Sequence, residues 1–160
     1  MAVKDYKETT KHPQEHYMHE ALALAQKAFT LDEVPIGALV VSADGTIIGR
    51  GHNEVEKRHQ QSAHAEVLAI NEASNHLEDW RLDQCWLYVT LEPCMMCMML
   101  IKLSRMEGVV YGAPSPVFGY RLNKKDAVPL YKKKSLEVIS GVMEVDSTSI
   151  LKQFFQKKRE

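Results

Sequence analysis

The chain has 160 residues, of which 45% are hydrophobic and 26% charged, with eight glycines, six prolines and three cysteines. That size suits one domain able to bury about 70% of its unfolded surface, and the composition excludes a disordered chain, a collagen-like repeat and a disulfide scaffold. The net charge is −1 but is divided unevenly, with −6 on residues 1–120 and +5 on residues 121–160.

Residues 1–14 are polar and read as a loose lead-in to a single domain over 15–160. From Glu15 to Thr30, Met18, Ala21, Leu22, Ala25, Ala28 and Phe29 recur at the spacing of an amphipathic helix. Ile36 to Ser42 and Thr46 to Gly51 are apolar, β-branched runs around Asp44-Gly45, which predicts a hairpin. Ala63 to Asn75 suits a second helix, Cys85 to Thr90 a strand, Cys94 to Arg105 a helix and Gly108 to Gly112 another strand. Residues 113–135 hold three prolines and scattered lysines and read as a loop. Leu136 to Met143 reads as a last strand, and Ser147 opens a C-terminal helix. Strands alternating with helices predict an α/β fold with helices on both faces of the sheet. The longest apolar run, Met95 to Ile101, is too short to cross a bilayer, and the N-terminus has no apolar stretch, so a cytoplasmic protein with no membrane partner is expected.

The chemistry lies in His64-Ala65-Glu66 and, 28 residues after Glu66, in Pro93-Cys94-Met95-Met96-Cys97. One imidazole and two thiolates are good ligands for Zn2+ and fall one short of its tetrahedral four, which separates a catalytic site from a closed structural one. Cys94 and Cys97 are three apart, so both sulfurs can face one ion from the start of a helix, where the dipole favours thiolate. Glu66 sits about 200° round an ideal helix from His64, placing it to reach a water beside the metal and act as general acid and base. Cys85, at the far end of the strand, reads as a buried core thiol. Alone, His-x-Glu or Cys-x-x-Cys says little, and a redox pair would leave Glu66 unexplained; iron is the other metal that the ligand types admit.

The combined pattern resembles the signature of the zinc nucleobase deaminases. Glu33-Val34-Pro35-Ile36-Gly37-Ala38, Gly51-His52-Asn53, Ala63-His64-Ala65-Glu66 and Leu87-Tyr88-Val89-Thr90-Leu91-Glu92-Pro93-Cys94 are similar to the bacterial tRNA-specific adenosine deaminases of the cytidine/deoxycytidylate deaminase superfamily. The resemblance spans residues 15–113. It implies a cytidine-deaminase-like three-layer α/β/α sandwich around a central mixed sheet, a homodimer, and hydrolytic conversion of the wobble adenosine to inosine in a tRNA anticodon stem-loop. It also implies that His64, Cys94 and Cys97 hold zinc, that Glu66 moves protons, that Asn53 hydrogen-bonds the nucleoside, and that Val34 and Pro35 lie against the base.

The family's Asp and Lys after the strand ending at Ala113 are replaced here by Pro114-Ser115-Pro116-Val117-Phe118-Gly119, and Lys133-Lys134 stand where the family has Asn-His. The basic C-terminal segment is expected to supply the RNA contacts instead, through Lys132, Lys133, Lys134, Phe154, Phe155 and Arg159. The rival readings are a deaminase of a free nucleobase or nucleoside, such as guanine or cytosine, and a non-catalytic zinc-stabilised module in which Glu66 is dispensable.

Overall fold

Apolar runs with few breaks become strands buried on both faces, as in a sheet covered by helices on either side. The computed structural model describes residues 3–5, 11–123 and 135–160. In chain order it holds β1 (Val3–Asp5), α1 (Glu15–Thr30), β2 (Gly37–Val41), β3 (Ile47–His52), α2 (Val55–Arg58) and α3 (Ala65–Leu77). Then come β4 (Trp86–Leu91), α4 (Met95–Leu103), β5 (Gly108–Ala113), a 3-10 turn (Tyr120–Asn123), β6 (Glu137–Ser140) and α5 (Glu144–Lys158).

The six strands form one mixed sheet in the order β1-β6-β5-β4-β2-β3. β2 runs antiparallel to both β3 and β4, whereas β4, β5, β6 and β1 are parallel. Successive side chains alternate between two cores. Ala38, Val40, Leu87, Val89, Val109 and Tyr111 pack on α3 and α4. Leu39, Val41, Trp86, Tyr88 and Val110 pack under Tyr17, Met18 and Ala21 of α1. With α5 beside α1 on that second side, the architecture is the expected three-layer sandwich.

The hairpin forms as the Asp-Gly pair implies. Gly45 takes φ 90°, and Asp44 Oδ1 accepts the Thr46 N–H at 3.0 Å. Within the lead-in, residues 3–5 pair in parallel with β6 at the sheet edge and His12 is buried, which its polarity does not suggest. One-turn α2 is absent from the sequence reading. Its free N–H groups are satisfied from 23 and 24 residues away, where the buried Glu33 carboxylate accepts from Glu56 at 3.2 Å and Lys57 at 2.7 Å. No local pattern announces such a cap.

Close contact between α3 and β3 sets the position of the site. A Cβ on Gly51 would lie 2.4 Å from the Ala65 carbonyl oxygen, so only glycine lets the first turn of α3 rest on the strand. In the parallel half of the sheet, the carboxyl ends of β4 and β5 open into one crevice, the usual place for a ligand in an α/β sheet.

Candidate metal centre and catalytic cavity

His64 and Cys94 are the N-cap residues of α3 and α4, both with extended backbone. Two helix starts therefore converge, and their positive ends favour sulfur as thiolate. His64 Nδ1 lies 3.6 Å from Cys94 Sγ and 3.4 Å from Cys97 Sγ, and one ligand atom from each of the three falls within 4.8 Å of the others. Cys85 is buried elsewhere, with burial pushing its thiol up to about 11. Among the described residues, His64, Cys94 and Cys97 are the only such group able to hold a metal.

The chemistry of these donors fits a cation. The Cys97 hydrogen bond, together with His64, lowers Cys94 to about 4. Cys97 is driven far upward, first by that same bond to Cys94 and then by its own burial. Two thiolates at this spacing require a cation between them, which is how metal binding displaces protons from such a site. The Cys94 bond also raises His64.

Glu66 is only 4% exposed, and burial raises its carboxyl to about 7. A carboxyl in that range can hold a proton and release it near neutral pH. It lies in the first turn of α3, and both Glu66 and His64 reach the wall of a cavity of about 1100 Å³.

Asn53 occupies that wall as well. Its Oδ1 accepts the Ala65 N–H at 3.0 Å, so the side chain satisfies a donor at the start of α3 and is held in a fixed pose. Val34 lines the cavity but Pro35 does not; Pro35 is buried, and Ile36 takes its place in the wall. Phe155 and Arg159 also line it. Phe154 turns inward and packs edge-on against Phe29 at 5.7 Å, so it is a core residue. Lys132, Lys133 and Lys134 lie outside the described residues.

Glu92 escaped the sequence reading as a functional group. Its buried carboxylate bonds Arg121 Nη2 at 3.3 Å and the Ser115 N–H at 3.2 Å, anchoring the loop that forms one cavity wall. The signal was an acidic residue standing directly after an apolar strand, where a carboxylate persists only if paired.

With this arrangement in view, comparison with known proteins is decisive. A family model for the MafB19-like deaminases matches residues 12–159. The chain belongs to that deaminase family. It is 44% identical over 147 residues to the tRNA-specific adenosine deaminase of Bacillus subtilis (strain 168), covering 91% of each chain. The match to the tRNA-specific adenosine deaminase of Streptococcus pyogenes serotype M18 (strain MGAS8232) is 40% over 152 residues, covering 92% of each. A solved structure from studies of A-to-I editing by tRNA:A34 deaminases superposes with a TM-score of 0.78 at 37% identity, covering 86% of this chain and 100% of that one. Guanine deaminase from Nitrosomonas europaea shares the fold, with a TM-score of 0.76 at 22% identity over 91% of this chain and 86% of its own. No helix among the described residues is long and apolar enough to cross a membrane.

Proposed function

We propose that the chain is a zinc-dependent deaminase that converts the wobble adenosine of a tRNA anticodon loop to inosine. The observation that carries the reading is Glu66, a buried carboxyl beside three metal donors and open to a large cavity. A purely structural metal has no use for that carboxyl.

His64, Cys94 and Cys97 would hold the zinc, three protein donors being the pattern of a catalytic site. When bound, zinc supplies Lewis-acid activation of water near neutral pH. Glu66 accepts the proton that the water gives up and returns it to the adenine ring nitrogen, then assists the departure of ammonia. Water contributes the oxygen that ends at C6, and ammonia carries away the exocyclic nitrogen. Asn53, held by the Ala65 N–H, orients the nucleoside with its amide NH2, while Val34 and Ile36 pack on the base. Phe155, Lys152 and Arg159, all in the cavity wall, meet the RNA. We extend the basic face to Lys132, Lys133 and Lys134, and we expect a cytoplasmic homodimer, checked by sedimentation equilibrium.

The relatives at 40% and 44% identity are named for tRNA, which favours RNA over a free base. The test incubates zinc-loaded protein with an anticodon stem-loop carrying a wobble adenosine, and separately with adenine, guanine, cytosine and their nucleosides, with Glu66→Ala as control. Inosine should form in the stem-loop only, and only with Glu66 present. Deamination of a free base with the stem-loop untouched would remove the tRNA assignment while keeping the metal site.

A further inference from the structure

Between β5 and the 3-10 turn the chain reads Pro114-Ser115-Pro116-Val117-Phe118-Gly119, and the first five of these residues line the catalytic cavity. Val117 is 67% and Phe118 76% exposed. Apolar side chains this exposed beside a reaction site call for an occupant.

The loop is held firmly. Glu92, 3% exposed, accepts the backbone N–H of Ser115 and of Arg121, each at 3.2 Å, and the Arg121 guanidinium at 3.3 Å. The Tyr120 N–H donates to the Pro93 carbonyl at 3.0 Å, and Cys94 and Gly119 form an isolated antiparallel bridge. A Cβ on Gly119 would fall 2.4 Å from Glu92 Oε2. The loop is therefore fixed to the segment that carries a candidate metal ligand, and Val117 and Phe118 line the same cavity as His64, Cys94 and Glu66.

Phe155, 47% exposed, and the cations Lys152 and Arg159 line the same cavity. Exposed rings interleaved with cations are the surface that unpaired RNA uses, its phosphates meeting the charges and its splayed bases stacking on the rings. A contact between copies of the chain would instead deplete charge at its centre.

We infer that Phe118, supported by Val117, is a specificity-determining residue that stacks on a base flanking the target adenosine, and that Glu92 is the positioning residue that holds it there. This rests on the tRNA reading above. An apolar wall selects an unstacked base by its face and not by its edges.

The test compares the zinc-loaded full chain on three anticodon stem-loops: intact, abasic at the 5′ neighbour of the target, and abasic at the 3′ neighbour. Phe118→Ala should lower kcat/KM on the intact RNA by roughly ten- to a hundred-fold, the size of one base–aromatic stack. The loss should fall mainly on KM, and Phe118→Trp should restore it. On one of the two abasic RNAs wild type and Phe118→Ala should coincide, because the stack is already gone. Glu92→Gln should follow the same pattern more weakly. Equal losses from Phe118→Ala on all three RNAs, or none on the intact one, would overturn the inference. So would a changed sedimentation coefficient for Phe118→Ala, which would give the loop to a contact between copies. Tryptophan emission of the Phe118→Trp variant, titrated with single-stranded RNA lacking adenosine, separates this from failure of the tRNA reading. Quenching by this RNA, together with no deamination of the intact stem-loop, keeps the stacking surface and removes the tRNA assignment; no quenching removes the stacking surface.

Discussion

Replacing Gly51 by alanine tests how the backbone sets the site. The new Cβ would lie 2.4 Å from the Ala65 carbonyl oxygen, 2.8 Å from the Ala69 nitrogen and 2.9 Å from the Leu68 Cβ. Ordinary contact begins at 3.4 Å, so the start of α3 must retreat by about 1 Å, a gap that backbone atoms close only by moving together. His64 precedes that turn and Glu66 lies within it, so both move relative to Cys94 and Cys97 on the separate helix α4. A misplacement of that size lowers reaction rates by as much as ~100-fold, while overpacking of this kind costs about 1–3 kcal/mol of stability.

Gly49→Ala is the natural comparison, because its Cβ would meet the Ala69 carbonyl at 2.2 Å, one turn further from the donors. Both variants should lose several degrees in thermal unfolding, roughly 2–4 °C per kcal/mol for a chain of this size. Only Gly51→Ala should also lose zinc affinity in competition with a chelating dye, by about 10-fold or more. If Gly51→Ala keeps wild-type zinc affinity while its stability falls like that of Gly49→Ala, the strand does not position the metal donors and the reasoning is wrong.

Three further outcomes follow from the same geometry. Glu66→Gln should keep its zinc by elemental analysis while its deamination rate falls by at least about 100-fold, the lower range for a lost acid–base group; full activity would assign proton transfer elsewhere. Removing the metal with a chelator should lower the unfolding temperature, and re-adding zinc should restore it, because the ion binds only the folded donors; an unchanged transition would exclude a bound ion. His12 is buried against Trp86 with ring centroids 4.5 Å apart, and its burial, then nearby Lys11, lower it from 6.5 to about 4. The unfolded chain therefore binds the extra proton between those values, so stability is full above pH 6.5 and falls as the pH drops toward 4, by at most ~1.4 kcal/mol per unit. Urea unfolding at pH 7 and pH 5 should show wild type losing about 2 kcal/mol more than His12→Phe over that interval; equal losses would refute a buried neutral His12.

The metal donors were legible because each pair of neighbours in sequence is also a neighbour in space. His64 and Glu66 share one helical turn, and so do Cys94 and Cys97, leaving the fold only to bring two helix starts together. Layers and the inner strands were legible from continuous apolar, β-branched runs set between segments of helical spacing. What remained hidden depends on rotation or on distance along the chain. Pro35 and Ile36 alternate across an extended segment, and periodicity cannot say which faces a cavity. Phe154 and Phe155 are adjacent on α5, about 100° apart, so one is core and the other wall. The Glu33 cap on α2 and the Glu92 anchor bridge more than twenty residues and leave no short-range trace. The edge strand at 3–5 is held by pairing to β6, and its polar residues carry no alternation to announce it.

The arrangement also separates the candidate reacting centre from the outer wall of the cavity. The donors and Glu66 are fixed by backbone features, namely two helix N-caps, a glycine against α3 and a proline before Cys94. None of these faces the far side of the cavity. That side is built from the 114–118 loop and from α5, and the loop is tied to the Glu92–Cys94 segment through the Glu92 carboxylate and the Cys94–Gly119 bridge. Wall residues can therefore change while the candidate metal donors and Glu66 stay in place. Selection by such a wall acts on binding of whatever flanks the reacting ring, whereas the helix starts act on the transition state. Substitutions at Val117 or Phe118 should accordingly separate from those at Glu66 or Gly51 in kinetics: the former move KM, and the latter move kcat.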